Sequence, residues 1–340
     1  MNNIYYNSDE LFSRQSQINF IMGERGNGKS FDAKKRMINN FLKKGEQSVY
    51  IRRRKTDIEE VKEFFFDDIK DFYPNHDFKV DGLYGKIDGE IAIIMIPLST
   101  SLKKKSSPFP KVTLLVFDEY IEPSFKFPNY LKNDMFYLFE LINTIVRKRN
   151  NWRMLIIGNS ISYVNPFFSF YNIRILDNEK RFHSFIKDDD DGNYLITVEL
   201  TETPQYKEEY SKTKLAKLIK NTTYGEYSMN SKAYEDKNDF INPIRKGQYI
   251  FVCSLLSNAF EVGVWYDEYG QFYIDEIIEK NTKYKFAILD SDLKEGYISV
   301  KSNMKNWRLK KLKQDFQDGK VYYSSQEVKK FFTLNCVRFF

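Results

Sequence analysis

The first 200 residues alternate short apolar runs with longer segments of mixed polarity. Continuous apolar runs are typical of strands that are buried on both faces of a parallel sheet. We predict such strands over residues 17–23, 47–51, 113–118 and 153–158. In the longer segments, apolar residues recur at helical spacing, and we predict helices over residues 29–44, 57–72 and 131–149. This order of elements predicts an α/β domain.

The remaining predicted strands lie at the borders of this pattern. Residues 78–98 have the alternation and the Asp-Gly turns of a meander. Residues 172–200 contain three further strand-like runs. From residue 201 the chain becomes more polar, and we interpret residues 201–230 as a linker with a short helical element.

The last third of the chain has the pattern of a smaller α+β domain. Its first three strands follow one another through tight turns, and a basic segment with helical spacing comes later. These strands are predicted over residues 249–256, 260–267 and 271–277, and the helix over residues 305–317. We therefore predict an ATPase-type α/β domain over 1–200, the linker, and a second domain over 231–340.

A complete phosphate-binding motif follows the first predicted strand. Its residues are Gly23, Glu24, Arg25, Gly26, Asn27, Gly28, Lys29 and Ser30, which match G-x-x-x-x-G-K-[ST]. Glycines allow the loop to turn its backbone N–H groups towards phosphate, and the positive end of the following helix adds to that field. We expect Lys29 to contact the β- and γ-phosphates of ATP and the Ser30 hydroxyl to bind Mg²⁺. The dinucleotide fingerprint fits less well, because position 31 is Phe rather than Gly.

The second chemical motif is a pair of carboxylates at the end of an apolar strand, Asp118 and Glu119. We expect Asp118 to bind Mg²⁺ together with Ser30, and Glu119 to orient or deprotonate an attacking water. An apolar run that ends in Asp-Glu is common, and the preceding phosphate loop is what gives it weight. The pair favours hydrolysis over phosphoryl transfer to a small molecule.

Three further positions at the ends of predicted elements have two interpretations. Arg52, Arg53, Arg54 and Lys55 are either a solvated loop or contacts to nucleic-acid phosphate. The run Arg147-Lys148-Arg149 either stabilises a helix end or supplies an arginine finger to the γ-phosphate of a neighbouring subunit, with Arg147 and Arg149 both open as the finger. Asn159 is either a turn residue or a group that senses phosphate or positions water.

Charge is concentrated at the end of the chain. The net charge is +6, and residues 301–340 contain ten Lys or Arg against three Asp or Glu. The rest of the chain is therefore close to neutral, and the basic segment predicts a polyanionic partner. Lys310, Lys311 and Lys313 are its candidate nucleic-acid contacts.

Several classes of protein are disfavoured by composition. Two widely separated cysteines and two histidines do not predict a disulfide framework, a zinc site or Ser/His chemistry. No apolar run approaches the ~18 residues of a membrane span, and the first residues lack a signal-peptide pattern. The start of the second domain is typical of ribonuclease-H-type nucleases, but residues 249–256 lack the carboxylate that such enzymes need for their two metals.

With these motifs in place, nearly the whole chain resembles the genome-packaging ATPases of the phi-twenty-nine group of short-tailed phages. Besides the phosphate loop and the Asp118-Glu119 pair, the resemblance rests on short matching segments in both domains. These are Gly45-Glu46-Gln47, Arg52-Arg53, Pro97-Leu98-Ser99, Val164-Asn165-Pro166, Tyr224-Gly225-Glu226 and Gly263-Val264-Trp265. The basic tail departs from the family by being longer and more basic.

The resemblance implies a function, a fold and a set of partners. It implies an additional-strand, catalytic-glutamate P-loop ATPase domain, related to that of large terminases, and a ribonuclease-H-like domain that has lost cleavage. Members of this family form a pentameric ring on a packaging RNA at the portal of a procapsid, in the cytoplasm of the infected host. They drive double-stranded DNA inward with ATP. By the family's motif, Arg147 falls on the trans-acting finger and Lys105 on a second trans-acting cation.

Three alternatives remain open at this point. A small-molecule or nucleoside kinase would also use the phosphate loop, but it would leave Glu119 and the basic domain unexplained. A different DNA translocase would also have a use for Glu119 and for the basic domain. A nucleic-acid-binding module could hold nucleotide as a structural ligand only. ATP hydrolysis with and without double-stranded DNA distinguishes hydrolysis-coupled motors from the other two classes.

Overall fold

The computed structural model describes residues 4–104, 109–121, 131, 134–160, 165–171, 173, 175, 180–222, 240–242, 249–257, 260–318 and 320–336. Lys105, Val164 and the Tyr224–Glu226 segment, which the sequence singled out, lie outside these residues. No helix in the described residues is long and apolar enough to span a bilayer.

The helices are numbered here in chain order. Helices α1 to α9 span Asp9–Ser13, Lys29–Lys44, Lys55–Lys62, Asp134–Val146, Pro166–Phe170, Pro204–Ser211, Lys214–Ile219, Trp307–Gln317 and Gln326–Asn335. Short 3₁₀ segments cover Lys70–Phe72, Leu98–Lys104, Asp290–Asp292 and Lys301–Asn303.

The strands likewise follow the chain order. Strands β1 to β9 span Ile18–Gly23, Gln47–Arg52, Phe78–Asp81, Tyr84–Ile87, Glu90–Pro97, Val112–Asp118, Arg153–Asn159, Phe182–Lys187 and Tyr194–Thr201. Strands β10 to β15 span Tyr249–Ser257, Phe260–Asp267, Phe272–Asp275, Lys285–Ala287, Tyr297–Ser299 and Val321–Tyr323.

The chain divides into two compact units. The first comprises residues 1–161 and 175–234, and the second comprises residues 162–174 and 235–340. The second unit therefore includes a short internal segment, α5, that precedes β8 in sequence. A domain boundary predicted from composition alone does not reveal that this segment belongs to the second unit, because the segment is too short to change the hydrophobic pattern.

The first unit is built on one nine-stranded sheet in the order β3-β4-β5-β2-β6-β7-β1-β9-β8. The strands from β5 to β9 in this order run parallel, and antiparallel strands β3, β4 and β8 close the two edges. The central strands β1, β6 and β7 are buried along nearly their whole length. The α/β prediction is confirmed, including the meander over residues 78–98.

Two predicted helices are shorter than their apolar patterns suggested. The helix predicted over 57–72 ends at Lys62, and turns follow through the buried Phe65, Phe66 and Ile69. The helix predicted over 131–149 ends at Val146, because Arg147 adopts a left-handed conformation with φ of 52°. In the first case the apolar residues beyond the helix still pack in the core, so their spacing did not distinguish helix from turn.

The second unit contains a six-stranded sheet in the order β14-β13-β10-β11-β12-β15. Strands β10, β11 and β12 form the predicted antiparallel meander, and β13 and β14 add parallel strands beside β10. The apolar faces of α8 and α9, including Leu309, Leu312 and Phe332, pack in the same core as the sheet. The basic segment is therefore an amphipathic helix on a folded core.

Candidate active site

The phosphate loop joins the end of β1 to the start of α2. Gly26 and Gly28 adopt left-handed conformations with φ of 80° and 94°, which side chains disfavour. Gly23 has a different reason to lack a side chain, because a Cβ there would lie 1.7 Å from the Thr201 hydroxyl of the neighbouring strand β9. The loop's glycines thus serve both its turn and its close packing on the sheet.

A cavity of about 250 Å³ lies between this loop and the carboxyl ends of β6 and β7. Its lining includes Arg25 to Phe31 of the loop and helix start, Asp118, Glu119, and Ile157 to Asn159. Parallel strands place their carboxyl ends at one edge of the sheet, which is where open α/β folds bind ligands. Most residues of the two predicted chemical motifs, together with Asn159, are therefore brought to one site.

Lys29 is held inside this site without a carboxylate partner. Its side chain is 5% exposed, and Nζ donates to Asn27 Oδ1 at 2.9 Å and to the Glu24 carbonyl. Burial lowers the pKa of this ammonium to about 8, although Glu24 and Asp118 oppose the shift. A buried cation held mainly by neutral oxygens is suited to an anionic ligand, which would supply the missing countercharge.

Asp118 and Ser30 are adjacent at the floor of the cavity. The Ser30 hydroxyl donates to Asp118 Oδ1 at 3.1 Å, and the Tyr50 hydroxyl of β2 donates to Oδ2 at 2.9 Å. Burial is the main cause that raises the pKa of Tyr50 well above its ordinary value, with the Asp118 charge adding to it. Tyr50 therefore stays a hydrogen-bond donor and fixes the orientation of the carboxylate.

Glu119 differs from Asp118 in exposure and backbone geometry. It adopts a left-handed conformation with φ of 57°, and its backbone N–H donates to Asp118 Oδ1 at 3.0 Å. Its side chain is 60% exposed and accepts from Arg52 Nη2 at 2.7 Å. Positive φ is uncommon for a residue with a side chain. The turn sends two consecutive carboxylates to different places, one buried beside Ser30 and one at the open side of the cavity.

The four consecutive cations after β2 do not form one exposed patch. Arg53 is 1% exposed and donates to Asp134 Oδ2 at 2.9 Å, the Tyr120 carbonyl at 2.5 Å and the Glu119 carbonyl at 3.2 Å. The prediction that Arg53 contacts nucleic acid is therefore wrong for this structure, because its guanidinium connects β2 to the turn after β6 and to α4.

The other three cations have different surroundings. Arg52 is largely buried and is ion-paired to both Asp118, at 3.5 Å, and Glu119, so its guanidinium is held by the two carboxylates that line the cavity. Arg54 is half-buried at the start of α3, and its backbone N–H donates to Asp57 at 2.9 Å. Lys55 is the exposed member of the group.

The two arginines that follow α4 are distinguished by their contacts. Arg149 donates to the backbone carbonyls of Phe109, Pro110, Val112 and Ile145 at 2.8–3.1 Å. Arg147 is exposed, and within the described residues its side chain has no hydrogen bond or ion pair. Arg149 is thus held by backbone carbonyls of its own chain, whereas the Arg147 side chain is exposed to solvent.

Sequence reasoning missed the residues that support the loop from β9 and α6. Glu24 is fully buried and accepts from Asn27 Nδ2 at 3.1 Å, from the Thr203 hydroxyl at 3.2 Å, and from Lys207 Nζ at 3.2 Å. Asn27 in turn holds Lys29. Thr203 and Lys207 are about 180 residues from Glu24 in sequence, and nothing in the local pattern of residues 201–207 indicates this contact.

The candidate contacts in the second unit lie on α8. Lys310 is exposed and Lys313 is partly exposed. Lys311 instead forms an ion pair at 2.6 Å with Asp315, whose side chain is 1% exposed. Its ammonium is the counterion of a buried carboxylate, which makes Lys311 the least available of the three.

Nearly the whole chain matches one known protein family. The model of the podovirus DNA encapsidation protein family (Gp16) matches residues 1–336. The chain belongs to this family. It is 34% identical over 327 residues to the DNA packaging protein of Bacillus phage phi29, covering 96% of this chain and 95% of that protein.

Solved structures from this family are similar to the structure of this chain. A chain of the bacteriophage phi-29 viral genome packaging motor assembly superimposes with a TM-score of 0.70 at 32% identity, covering 96% of this chain and 97% of that chain. The crystal structure of the N-terminal domain of the DNA packaging ATPase from phage phi29 gives 0.52 at 35% identity, covering 59% of this chain and 97% of the other. The resemblance drawn from the motifs is confirmed, and the chain is a DNA-packaging protein of the phi29 type.

Proposed function

We propose that the chain hydrolyses ATP and uses the energy to move double-stranded DNA into a procapsid, as one subunit of a ring. One observation carries this proposal. In a chain of the DNA encapsidation family, a buried lysine, a serine and two carboxylates from separate elements meet at one cavity. That set of groups is what ATP hydrolysis requires and what a purely structural nucleotide site does not need.

The residues present fit ATP and Mg²⁺. Ser30 and Asp118 offer a hydroxyl and a carboxylate oxygen 3.1 Å apart, and Mg²⁺ is usually held by one or two carboxylates together with substrate phosphates. Lys29 and the backbone of Gly26 to Gly28 would hold the phosphates. When bound, Mg²⁺ would neutralise charge that develops on the phosphate oxygens.

Glu119 is the residue we assign to water activation. Its exposed carboxylate lies at the cavity, whereas Asp118 is buried against Ser30 and Tyr50. Because the backbone turns at Glu119, the two carboxylates lie in different places and can take different roles. Arg52 holds Glu119 in place through a 2.7 Å ion pair. Asn159 also lines the cavity, and we assign it to sensing phosphate or positioning water.

Arg147 is proposed to act in trans on the site of a neighbouring subunit. The support is its exposure at a helix end, beside an Arg149 that is fully engaged in its own subunit. Lys105 is proposed as a second trans-acting cation on family resemblance alone.

The second unit is proposed to be a ribonuclease-H-type domain that binds without cutting. Three antiparallel strands followed by two parallel strands beside the first agree with that fold. Within the described residues no three His, Cys, Asp or Glu side chains are close enough to hold a metal ion. Portal, packaging RNA and DNA are its proposed partners at the procapsid.

The decisive experiment measures ATP hydrolysis by the full chain with and without double-stranded DNA. We expect hydrolysis that DNA stimulates and that the Lys29→Ala variant lacks. Hydrolysis that appears only with a small phosphoryl acceptor would favour a kinase instead. Nucleotide binding without any hydrolysis, with or without DNA, would contradict the proposal.

A further inference from the structure

Three tyrosines form a connected aromatic group next to the phosphate loop. Tyr206 and Tyr210, one turn apart on α6, are stacked with ring centroids 5.8 Å apart and planes within 17°. Tyr5, from the start of the chain, lies 6.2 Å from Tyr206 at a tilt of 43°. Residues from two distant parts of the sequence thus place their rings on the same side of the loop.

The two nearest rings are fixed to the loop itself. A Cβ placed on Gly28 would lie 3.0 Å from Tyr5 Cβ and 3.3 Å from its ring, so only glycine allows this approach. The Tyr206 hydroxyl donates to the Arg25 carbonyl at 3.3 Å and lies 2.5 Å from a Cβ placed on Gly26. Next to Tyr5, the Tyr6 N–H donates to the Asn27 carbonyl at 2.9 Å. Both rings therefore keep a defined position relative to the groups that would hold phosphate.

The Tyr5 ring remains exposed in the folded chain. Its side chain is 54% exposed, although the neighbouring Tyr6 is buried and hydrogen-bonded to Glu199. An aromatic ring that is held rigidly but left open to solvent is suited to stack on a flat ligand. No charged group of the loop is needed for that contact.

We propose that Tyr5 and Tyr206 form a stacking platform for the base of the nucleotide whose phosphates the loop binds. The inference rests on the proposed function, because it needs nucleotide at this loop. Since stacking does not read hydrogen-bonding edges, the platform predicts weak discrimination between purine bases. Stacking of a base on an aromatic side chain is worth about 1–3 kcal/mol, which corresponds to about 5- to 150-fold in affinity.

The test compares a ligand that has a base with one that has none. Binding of ADP and of inorganic tripolyphosphate to the full chain is measured by calorimetry for the wild type, Tyr5→Leu, Tyr5→Phe and Tyr206→Phe. We expect Tyr5→Leu to weaken ADP binding within the range above and to leave tripolyphosphate binding unchanged. Tyr5→Phe and Tyr206→Phe keep the rings and should bind ADP nearly as the wild type does.

Controls separate this inference from the proposed function. Tyr84→Leu removes a comparably exposed tyrosine from the edge strand β4 and should affect neither ligand. An equal loss of both ligands in Tyr5→Leu would show that the ring only supports the loop, and no loss of either would also overturn the platform. If the wild type binds neither ligand, the nucleotide site itself is refuted.

Discussion

The two sheets of this protein both carry carboxylates near strand ends, but they use them differently. In the first unit, Asp118 and Glu119 face a cavity that also contains a buried lysine. In the second unit, Glu261 accepts from Ser254 at 2.6 Å and from Tyr297 at 2.8 Å. Asp290 similarly accepts from Ser299 at 3.2 Å. A carboxylate at a strand end is therefore not diagnostic, and its neighbours decide whether it binds a ligand or supports the fold.

The difference also concerns how a metal ion would be held. A Mg²⁺ ion at the first sheet can share its coordination with phosphates, so Asp118 and Ser30 suffice. A nuclease site that holds two metals needs several protein carboxylates of its own. The second unit offers no such cluster within the described residues. This contrast motivates our proposal that the first unit hydrolyses ATP and that the second unit binds nucleic acid without cleaving it.

The largest expected effect concerns Arg147. If it completes the site of a neighbouring subunit, Arg147→Ala should lower DNA-stimulated hydrolysis by about 10³- to 10⁵-fold. Mixing this variant with Glu119→Gln subunits should restore part of the rate, because some interfaces then pair an intact site with an intact finger. Lys148→Ala, at the exposed neighbouring position, is the matched control and should hydrolyse normally. A mixture that assembles but recovers no activity would mean that Arg147 acts within its own subunit.

The next effect tests the division of roles between the two carboxylates of the first sheet. Glu119→Gln should retain ATP binding, since Lys29, Ser30 and Asp118 are unchanged, and should lose about 10²- to 10⁴-fold in turnover. Asp118→Asn should instead weaken Mg²⁺-dependent nucleotide binding. Binding is measured by calorimetry and turnover by phosphate release. Undiminished steady-state hydrolysis by Glu119→Gln would refute its assignment as the water-activating group.

The sequence predicted the parts of this site that are local. The loop from Gly23 to Ser30 and the strand that ends at Asp118 are contiguous motifs, and parallel-sheet geometry explains why they meet. The parallel core of the first unit and the meanders of both units were also predicted, because the hydrophobic pattern of each strand is local. These features depend on residues that are close together in sequence.

Features that depend on long-range packing could not be predicted. The contacts of Glu24 with Thr203 and Lys207 join segments with no shared pattern. In the sequence, Arg53 cannot be distinguished from its three cationic neighbours, but in the structure it is buried and ion-paired with Asp134. Strand β15 pairs in parallel with β12 at the edge of the second sheet, and its three residues are too few for periodicity to reveal.

A smaller effect is expected in the second sheet, where we assign the carboxylates to stability. Glu261→Ala leaves the fully buried Ser254 hydroxyl without its acceptor, and a lost partner of this kind costs about 1–3 kcal/mol. Chemical denaturation should show this loss, with hydrolysis at the first sheet unchanged. Glu268→Gln, at an exposed turn position, should have the stability of the wild type. Metal-dependent cleavage of DNA by the wild type that Glu261→Ala abolishes would reverse the contrast between the sheets.

The smallest expected effect is on the salt dependence of nucleic-acid binding by α8. Each phosphate contact to duplex DNA contributes a slope of about −0.9 in a plot of log affinity against log salt. Replacing Lys310 and Lys313 together with Met should flatten the slope of the full chain by about two units if both contact phosphate. Lys311→Met should change it little, because that ammonium is paired with the buried Asp315. An unchanged slope in the double variant would make α8 a solvated face, and a large change in Lys311→Met alone would mean that its ion pair opens on binding.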